Sequence, residues 1–207
     1  SSGGHPCPVR CFTSAGVALD EDGQARLREL NTRLAELQAS FARANREARV
    51  AGAVVVTDRA QLDGLTDAEI DALATGDGEW TIELVNTTQQ PIMTRLHDRG
   101  LRRRVLEASM ARGLAGEHDT RQTIVDIART RAERATLLGF EHHAALAAEL
   151  GCAKTTDAVN ALMGPLGRAA LKQAEADAVT FAERFAQLGQ GDDFAAWDWE
   201  YVADIVR

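Results

Sequence analysis

A long stripe of large apolar side chains constrains the fold of this chain more than any other feature. Between Asp20 and Arg49 these side chains recur in steps of three and four residues: Leu27, Leu30, Leu34, Leu37 and Phe41. Steps of that size put side chains on one face of an α-helix, so the spacing predicts one long helix that buries this face. Two to three heptads would also suit a short coiled coil, but so few heptads favour an α-hairpin within a larger fold.

Two short β-strands are predicted after this helix. The first is the β-branched run Val54–Val56, and the second is the run from Trp80 to Val85, in which apolar and polar side chains alternate. A two-stranded ribbon is marginal alone, so we expect the strands to pair and to cover helices with their apolar side. Between them, Thr66 and Glu69 have the spacing of a capping box, which predicts the start of a short helix.

The remainder of the chain has helical patterns. Pro91 suits a first helical turn, and Thr155 or Thr156 is expected to cap the last long helix. On that last helix apolar residues recur at near-helical intervals: Val159, Leu162, Leu166, Phe181 and Phe185. The predicted fold class is therefore mainly α, a multi-helix array of long helices and α-hairpins with one small two-stranded β-ribbon.

The charge balance disfavours nucleic acid as a partner. The 207 residues carry a formal net charge of -8, whereas binding to phosphate backbones requires clustered Lys and Arg. One basic run, Arg102-Arg103-Arg104, is the exception. Apolar residues are interleaved around this run, so we interpret it as the solvated face of a helix.

The sequence also predicts a protein without a membrane segment. No apolar stretch approaches the roughly 18–20 residues that a membrane helix needs, and no signal peptide opens the chain. The three cysteines, Cys7, Cys11 and Cys152, are an odd number, which favours free thiols in a reducing compartment. These observations predict a cytoplasmic protein.

No residue is assigned a catalytic, cofactor-binding or metal-binding role from the sequence. The motif H-E-x-x-H is absent, and the adjacent His142 and His143 would point about 100° apart on a helix. We therefore expect two partly exposed histidines at a helix start. A loop with His5, Cys7 and Cys11 offers soft metal ligands, but no second pair follows at a defined distance. An irregular N-terminal extension is the favoured interpretation, and metal binding there is left open.

Aromatic residues close to the C-terminal end invite two interpretations. Trp197, Trp199 and Tyr201 could form a stacking platform for a ligand. On a helix, however, such side chains usually fill a groove between neighbouring helices. We therefore predict that these three residues belong to the core.

Several segments, in the same order, resemble zinc metallopeptidases of the thimet oligopeptidase group, and within it the bacterial peptidyl-dipeptidases. The runs Asn86-Thr87-Thr88-Gln89-Gln90-Pro91 and Trp197-Asp198-Trp199 are the most specific, because generic helix chemistry would select neither. The other similar stretches are residues 30–37, 62–66, 119–121, 137–140 and 153–155. The resemblance covers residues 12–207.

The resemblance implies a helical region that faces a catalytic region across a deep channel, which restricts substrates to short peptides. The parent enzyme would use a zinc-activated water to release dipeptides from the C-terminus. This chain would form the channel wall, with short peptides and the missing catalytic region as its partners. The zinc motif would lie beyond Arg207, so this chain alone is expected to be inactive and to ligate no zinc.

The expected domain organisation follows from this resemblance. Residues 1–11 are an irregular extension, and residues 12–207 are the helical N-terminal-side region, truncated before the catalytic region. Both ends look cut, since the chain does not begin with Met and its final helical pattern stops without a cap. The alternative is a non-catalytic helical module that oligomerises through its Leu27–Phe41 stripe or binds another helix.

Overall fold

The computed structural model describes residues 16–190 and 193–206, with the backbone alone at residues 86–90. As the sequence predicts, this part of the chain is mainly helical with one small sheet. The helices are α1 (Glu21–Ala51), α2 (Asp67–Leu73), α3 (Asn86–Arg95), α4 (Arg99–Ala111), α5 (Arg121–Leu137), α6 (His143–Leu150), α7 (Thr156–Gln187) and α8 (Trp199–Val206). The strands are β1 (Val54–Val56), β2 (Ala74–Gly76) and β3 (Glu79–Ile82).

The chain divides into two compact units, each built from two separate stretches of sequence. Unit 1 consists of the residues up to Arg43 together with Thr120–Ala170. Unit 2 consists of Ala44–Asp119 and Leu171–Arg207. The predicted boundary between residues 11 and 12 lies outside the described residues and stays a prediction.

The leucines of the apolar stripe of α1 are buried, as predicted, and Phe41 is half-buried. The four leucines are only 4 to 7% exposed: Leu27, Leu30, Leu34 and Leu37. In unit 1, Arg26 on α1 pairs with Glu133 on α5 at 3.0 Å, and α5 packs against α6. Because the single chain already covers the stripe, this face is not free to join two copies, which weighs against the alternative of a module that oligomerises through it.

The sheet of unit 2 has three strands instead of the two that the sequence predicts. Its order is β1-β3-β2, and all pairs are antiparallel. The predicted pairing of β1 with β3 is confirmed, with Val54 opposite Ile82 and Val56 opposite Trp80. The additional strand β2 follows α2 directly and returns to β3 through Asp77 and Gly78, both of which have positive φ. A two-residue hairpin loop of type I′ requires that combination.

Helices cover one side of this sheet and complete an apolar core in unit 2. The buried members come from the strands and from α2 to α4 and their connections: Val54, Val56, Leu62, Ile70, Leu73, Ile82, Leu84, Ile92, Met93, Leu96, Leu101 and Val105. The predicted capping box is present, since the Thr66 hydroxyl accepts from Glu69 N–H and the Glu69 carboxylate accepts from Thr66 N–H. Helix α3 begins at Asn86, so Pro91 lies within the helix and not in its first turn.

Helix α7 is 32 residues long and begins as predicted. The Thr155 hydroxyl accepts a hydrogen bond from Ala158 N–H at 3.1 Å and so caps the first turn. The helix continues through Pro165 to its buried residue Phe185. Over residues 16–190 and 193–206, every helix is either too short or too polar to cross a bilayer.

Candidate functional site

A fully buried carboxylate, Asp198, is the centre of the main polar cluster of unit 2. It lies in a 3₁₀ turn, Ala196–Asp198, immediately before α8, and has no exposed surface. Its Oδ1 accepts from Arg102 Nη2 at 2.8 Å, and its Oδ2 accepts from Arg99 Nη2 at 2.9 Å and from Ala195 N–H at 3.1 Å. The low dielectric of the interior strengthens each of these charge-assisted hydrogen bonds.

The interpretation of Arg102 as part of a solvated helix face is wrong. Its side chain is completely buried. Besides Asp198, it donates through Nη1 to the carbonyl oxygens of Leu96 at 2.7 Å and His97 at 3.2 Å. These carbonyls follow the end of α3, where a positive charge also interacts favourably with the helix dipole. Arg102 therefore joins the end of α3 to the turn before α8.

Arg99 connects the buried carboxylate to the surface. Its guanidinium binds Asp198 from one side and donates to Asp193 Oδ2 at 2.8 Å from the other. The hydrogen bond with Asp198 is the main reason why the pKa of Arg99 lies above its ordinary value. The hydrogen bond from Arg99 likewise lowers the pKa of the exposed Asp193 carboxyl.

Aromatic rings enclose these guanidinium groups. Arg102 lies 4.3 Å from the centroid of the Tyr201 ring, and Arg99 lies 5.0 Å from that of Phe185. The guanidinium groups of Arg99 and Arg103 lie 5.7 Å and 5.0 Å from the centroid of the Trp197 ring. Contacts of this kind stabilise a cation through its attraction to the face of the ring.

The remaining tryptophan of this region also packs against aromatic rings. Trp199 contacts Phe181 of α7 edge-on, with the ring centroids 4.9 Å apart. Together with the partial burial of Trp197 and Tyr201, this contact agrees with the core interpretation of the three aromatic residues. The 3₁₀ turn at Trp197, however, means that only Trp199 and Tyr201 belong to α8.

The chemistry of this cluster is that of a structural lock. Both oxygens of Asp198 are occupied by permanent cations and a backbone amide, and the group has no exposed surface from which to exchange a proton with substrate. A buried ion pair of this kind contributes little net stability compared with an apolar pair, but removal of one partner is costly. We therefore assign the cluster a positioning role.

A second polar contact joins the turn at Asp63 to the connection between α3 and α4. His97 Nδ1 lies 3.0 Å from Asp63 Oδ2, and His97 N–H donates to the Asp63 carbonyl at 2.9 Å. The hydrogen bond with His97 is the main cause that lowers the pKa of Asp63, followed by one from Gly64 N–H. On its other side, His97 meets Tyr201 edge-on with a centroid separation of 6.1 Å.

Glu200, two positions after Asp198, allows a test of how burial affects the protonation of a carboxyl group. It is half-buried on α8, and burial raises its pKa. The folded protein therefore holds this proton more tightly than the unfolded chain, so stability falls as pH rises from the ordinary glutamate range through the raised pKa. Glu200→Gln cannot ionise and is expected to raise the urea midpoint of unfolding at pH 7 while changing it little at about pH 4.

Urea unfolding at the two pH values, followed by tryptophan fluorescence, checks this expectation. Asp204→Asn, an exposed change on the same helix, removes the same charge and serves as the control. An equal rise of the midpoint in both variants would contradict the argument from burial, because it would report only the smaller net charge.

Of the residues that the sequence singled out for chemistry, His142, His143 and Cys152 lie within the described ranges. His142 is exposed and caps α6, its Nδ1 accepting from Ala145 N–H at 3.0 Å, while His143 is half-buried in the first turn, as expected. Cys152 is an exposed free thiol, whereas His5, Cys7 and Cys11 lie outside the described residues. Within the described ranges, no three His, Cys, Asp or Glu side chains are grouped as metal ligands.

Comparison with known proteins finds relatives along nearly the whole chain. Residues 92–207, which contain the entire Asp198 cluster, match the model of peptidase family M3. Dipeptidyl carboxypeptidase of Escherichia coli is 34% identical over 203 residues, and that of Salmonella typhimurium is 35% identical over 208 residues. Oligopeptidase A of Escherichia coli is 27% identical over 208 residues. Each match covers 95% of this chain but only 30% of the relative's own length.

Proposed function

Since the chain belongs to peptidase family M3, we propose that it is the helical channel wall of a zinc metallopeptidase that releases dipeptides from the C-terminus of short peptides. The observation that carries this proposal is the 34% identity to a dipeptidyl carboxypeptidase over 95% of the chain. The 24 to 27% identity to oligopeptidases supports a peptidase of short substrates more broadly.

The described residues of this chain do not fit a catalytic zinc site. A catalytic zinc needs three protein ligands around an open position, typically two His one helical turn apart and a carboxylate. The 207 residues contain no H-E-x-x-H, and the described side chains include no group of three possible ligands. No step of the reaction is assigned to them, and in this proposal the metal belongs to the part of the relatives that the chain does not span.

The geometry of unit 2 suits a supporting role. A wall that excludes large substrates must resist deformation, and such rigidity comes from buried side chains with fixed partners. The Asp198 cluster fixes α8, the end of α3 and the start of α4 to one another. Two of its charges, Arg102 and Asp198, are fully buried, which leaves much of the surface of these helices available for other contacts.

The reading frame beyond the codon for Arg207 provides the first test. We expect an in-frame continuation that encodes H-E-x-x-H. A stop codon directly after Arg207, with no such motif in the frame, would contradict the proposal.

Activity provides the second test. The protein made from the complete frame is expected to release a dipeptide from an N-terminally blocked tetrapeptide, to lose turnover with a chelator and to regain it with zinc. The 207-residue chain assayed beside it should show no turnover. Chelator-sensitive hydrolysis by the 207-residue chain would overturn the assignment as a wall.

A further inference from the structure

The first two thirds of α7 are exposed around the whole helix. Residues 157–163 and 165–176 are all exposed, and only Gly164 between them is half-buried. A helical segment of about 20 residues without tertiary packing is marginal in water, because most helix stability in proteins comes from burial of one face. The described chain therefore leaves this segment without the packing that would stabilise it.

The exposed segment has one apolar face, which we call the α7 stripe. Its members follow the helical spacing i, i+3, i+4, i+7 and i+11: Val159, Leu162, Met163, Leu166 and Ala170. Leu162 is 70% exposed and Leu166 is 58% exposed. Large apolar side chains that are exposed and adjoin one another on one face are characteristic of an interaction site.

The opposite side of the same segment is charged. At about 100° per residue, the positions about half a turn from the α7 stripe hold Asp157, Arg168, Lys172 and Glu175, together with the small residues Ala161 and Gly164. A helix that water surrounds in the native protein would carry polar residues on both sides. The asymmetry indicates a helix with one face in water and the other against a partner.

The comparisons indicate which partner. The α7 stripe lies entirely within residues 92–207, the segment that matches the M3 family model. More than two thirds of the length of the dipeptidyl carboxypeptidases lies outside the segment that this chain spans. That remaining length is ample to supply an apolar layer opposite α7.

We propose that the α7 stripe is the surface on which the remainder of the same M3 polypeptide packs, through an apolar face of that remainder. This proposal rests on the proposed function, in which the chain is one part of a larger peptidase. It adds the residues of this chain that form the junction. Leu162, Met163 and Leu166 are its centre, and the small Ala170 allows close approach at its end.

Thiol labelling of the protein made from the complete reading frame tests the proposal. Cys7, Cys11 and Cys152 are replaced by Ser, and Leu166→Cys is compared with Arg168→Cys. The two positions are neighbours on opposite faces, and both are exposed in the described chain. Labelling by a small maleimide is measured under native conditions and in urea, which supplies the intrinsic rate. Leu162→Cys gives a second measurement on the same face.

Native Leu166→Cys is expected to react at least about tenfold more slowly than its intrinsic rate, while Arg168→Cys reacts within about threefold of its own. Equal protection of the two positions would overturn the proposal. Protection that disappears on dilution would identify a second copy as the partner, and protection lost on deletion of residues 1–15 would identify that segment. A reading frame that ends at Arg207 would remove the proposed partner. Each of these four results would overturn the proposal.

Peptide hydrolysis measured on the same samples separates this proposal from the proposed function. A protected Leu166→Cys without turnover would sustain the junction and contradict the peptidase assignment. Turnover with a fully reactive Leu166→Cys would contradict the junction and sustain the peptidase assignment.

Discussion

Asp198→Asn is expected to lower the free energy of unfolding of unit 2 by about 3–5 kcal/mol. Asparagine keeps the shape of the side chain but leaves the guanidinium of Arg102, which has no exposed surface, without its counter-charge. Urea unfolding followed by tryptophan fluorescence is the measurement. It reports on unit 2 alone, because Trp80, Trp197 and Trp199 all belong to that unit.

Two further variants control this experiment. Asp193→Asn removes the other carboxylate partner of Arg99, but its side chain is 73% exposed, so we expect little change. The double variant Asp198→Asn with Arg102→Met is expected to recover part of the loss, because no fully buried charge then remains in the cluster. A loss below about 1 kcal/mol for Asp198→Asn alone would contradict the assignment of the cluster as a structural lock.

Gly64→Ala has the second largest expected effect. Gly64 has a φ of +95°, and a Cβ atom there would overlap the carbonyl oxygen of Arg95. The left-handed conformation costs about 1–2 kcal/mol for a residue with a side chain, and the overlap adds about 1–3 kcal/mol more. The expected loss in the free energy of unfolding is therefore about 2–5 kcal/mol, measured by the same urea titration.

Gly76→Ala is the matched control for this prediction. Gly76 has a similar φ of +103°, but no atom lies within 4 Å of a Cβ built there. It should show the conformational cost alone, about 1–2 kcal/mol. Equal losses at the two glycines would mean that the contact between the Asp63 turn and the end of α3 is not tight.

The long helices could be predicted because their signals are local. The leucine stripe of α1 and the cap at Thr155 each depend on residues within a few turns of one another, and both are present in the structure. The sheet was predicted only in part. Strand β2 is three exposed residues, of which only Thr75 favours a strand, and the hairpin signal that could have revealed it is the pair Asp77-Gly78.

The Asp198 cluster could not be predicted from local pattern. An arginine within a basic run is usually solvated, whereas the charge of the buried Arg102 is neutralised by a carboxylate 96 positions away. The prediction of core packing rested on the tryptophans of the Trp-Asp-Trp run, whereas its aspartate makes the central contacts of the cluster. The contact of His97 with Asp63 spans 34 positions and was missed for the same reason.

The separation between Arg102 and Asp198 also sets an order of events during synthesis. Unit 2 is discontinuous, so a ribosome that has finished Ala44–Asp119 must still make residues 120–170 before the second stretch begins. At about 5–20 residues per second, the 96 positions between the ion-pair partners take about 5–20 s to translate. During that interval the nascent chain has no Asp198 to neutralise Arg102, so this ion pair can form only after residue 198 has left the ribosome.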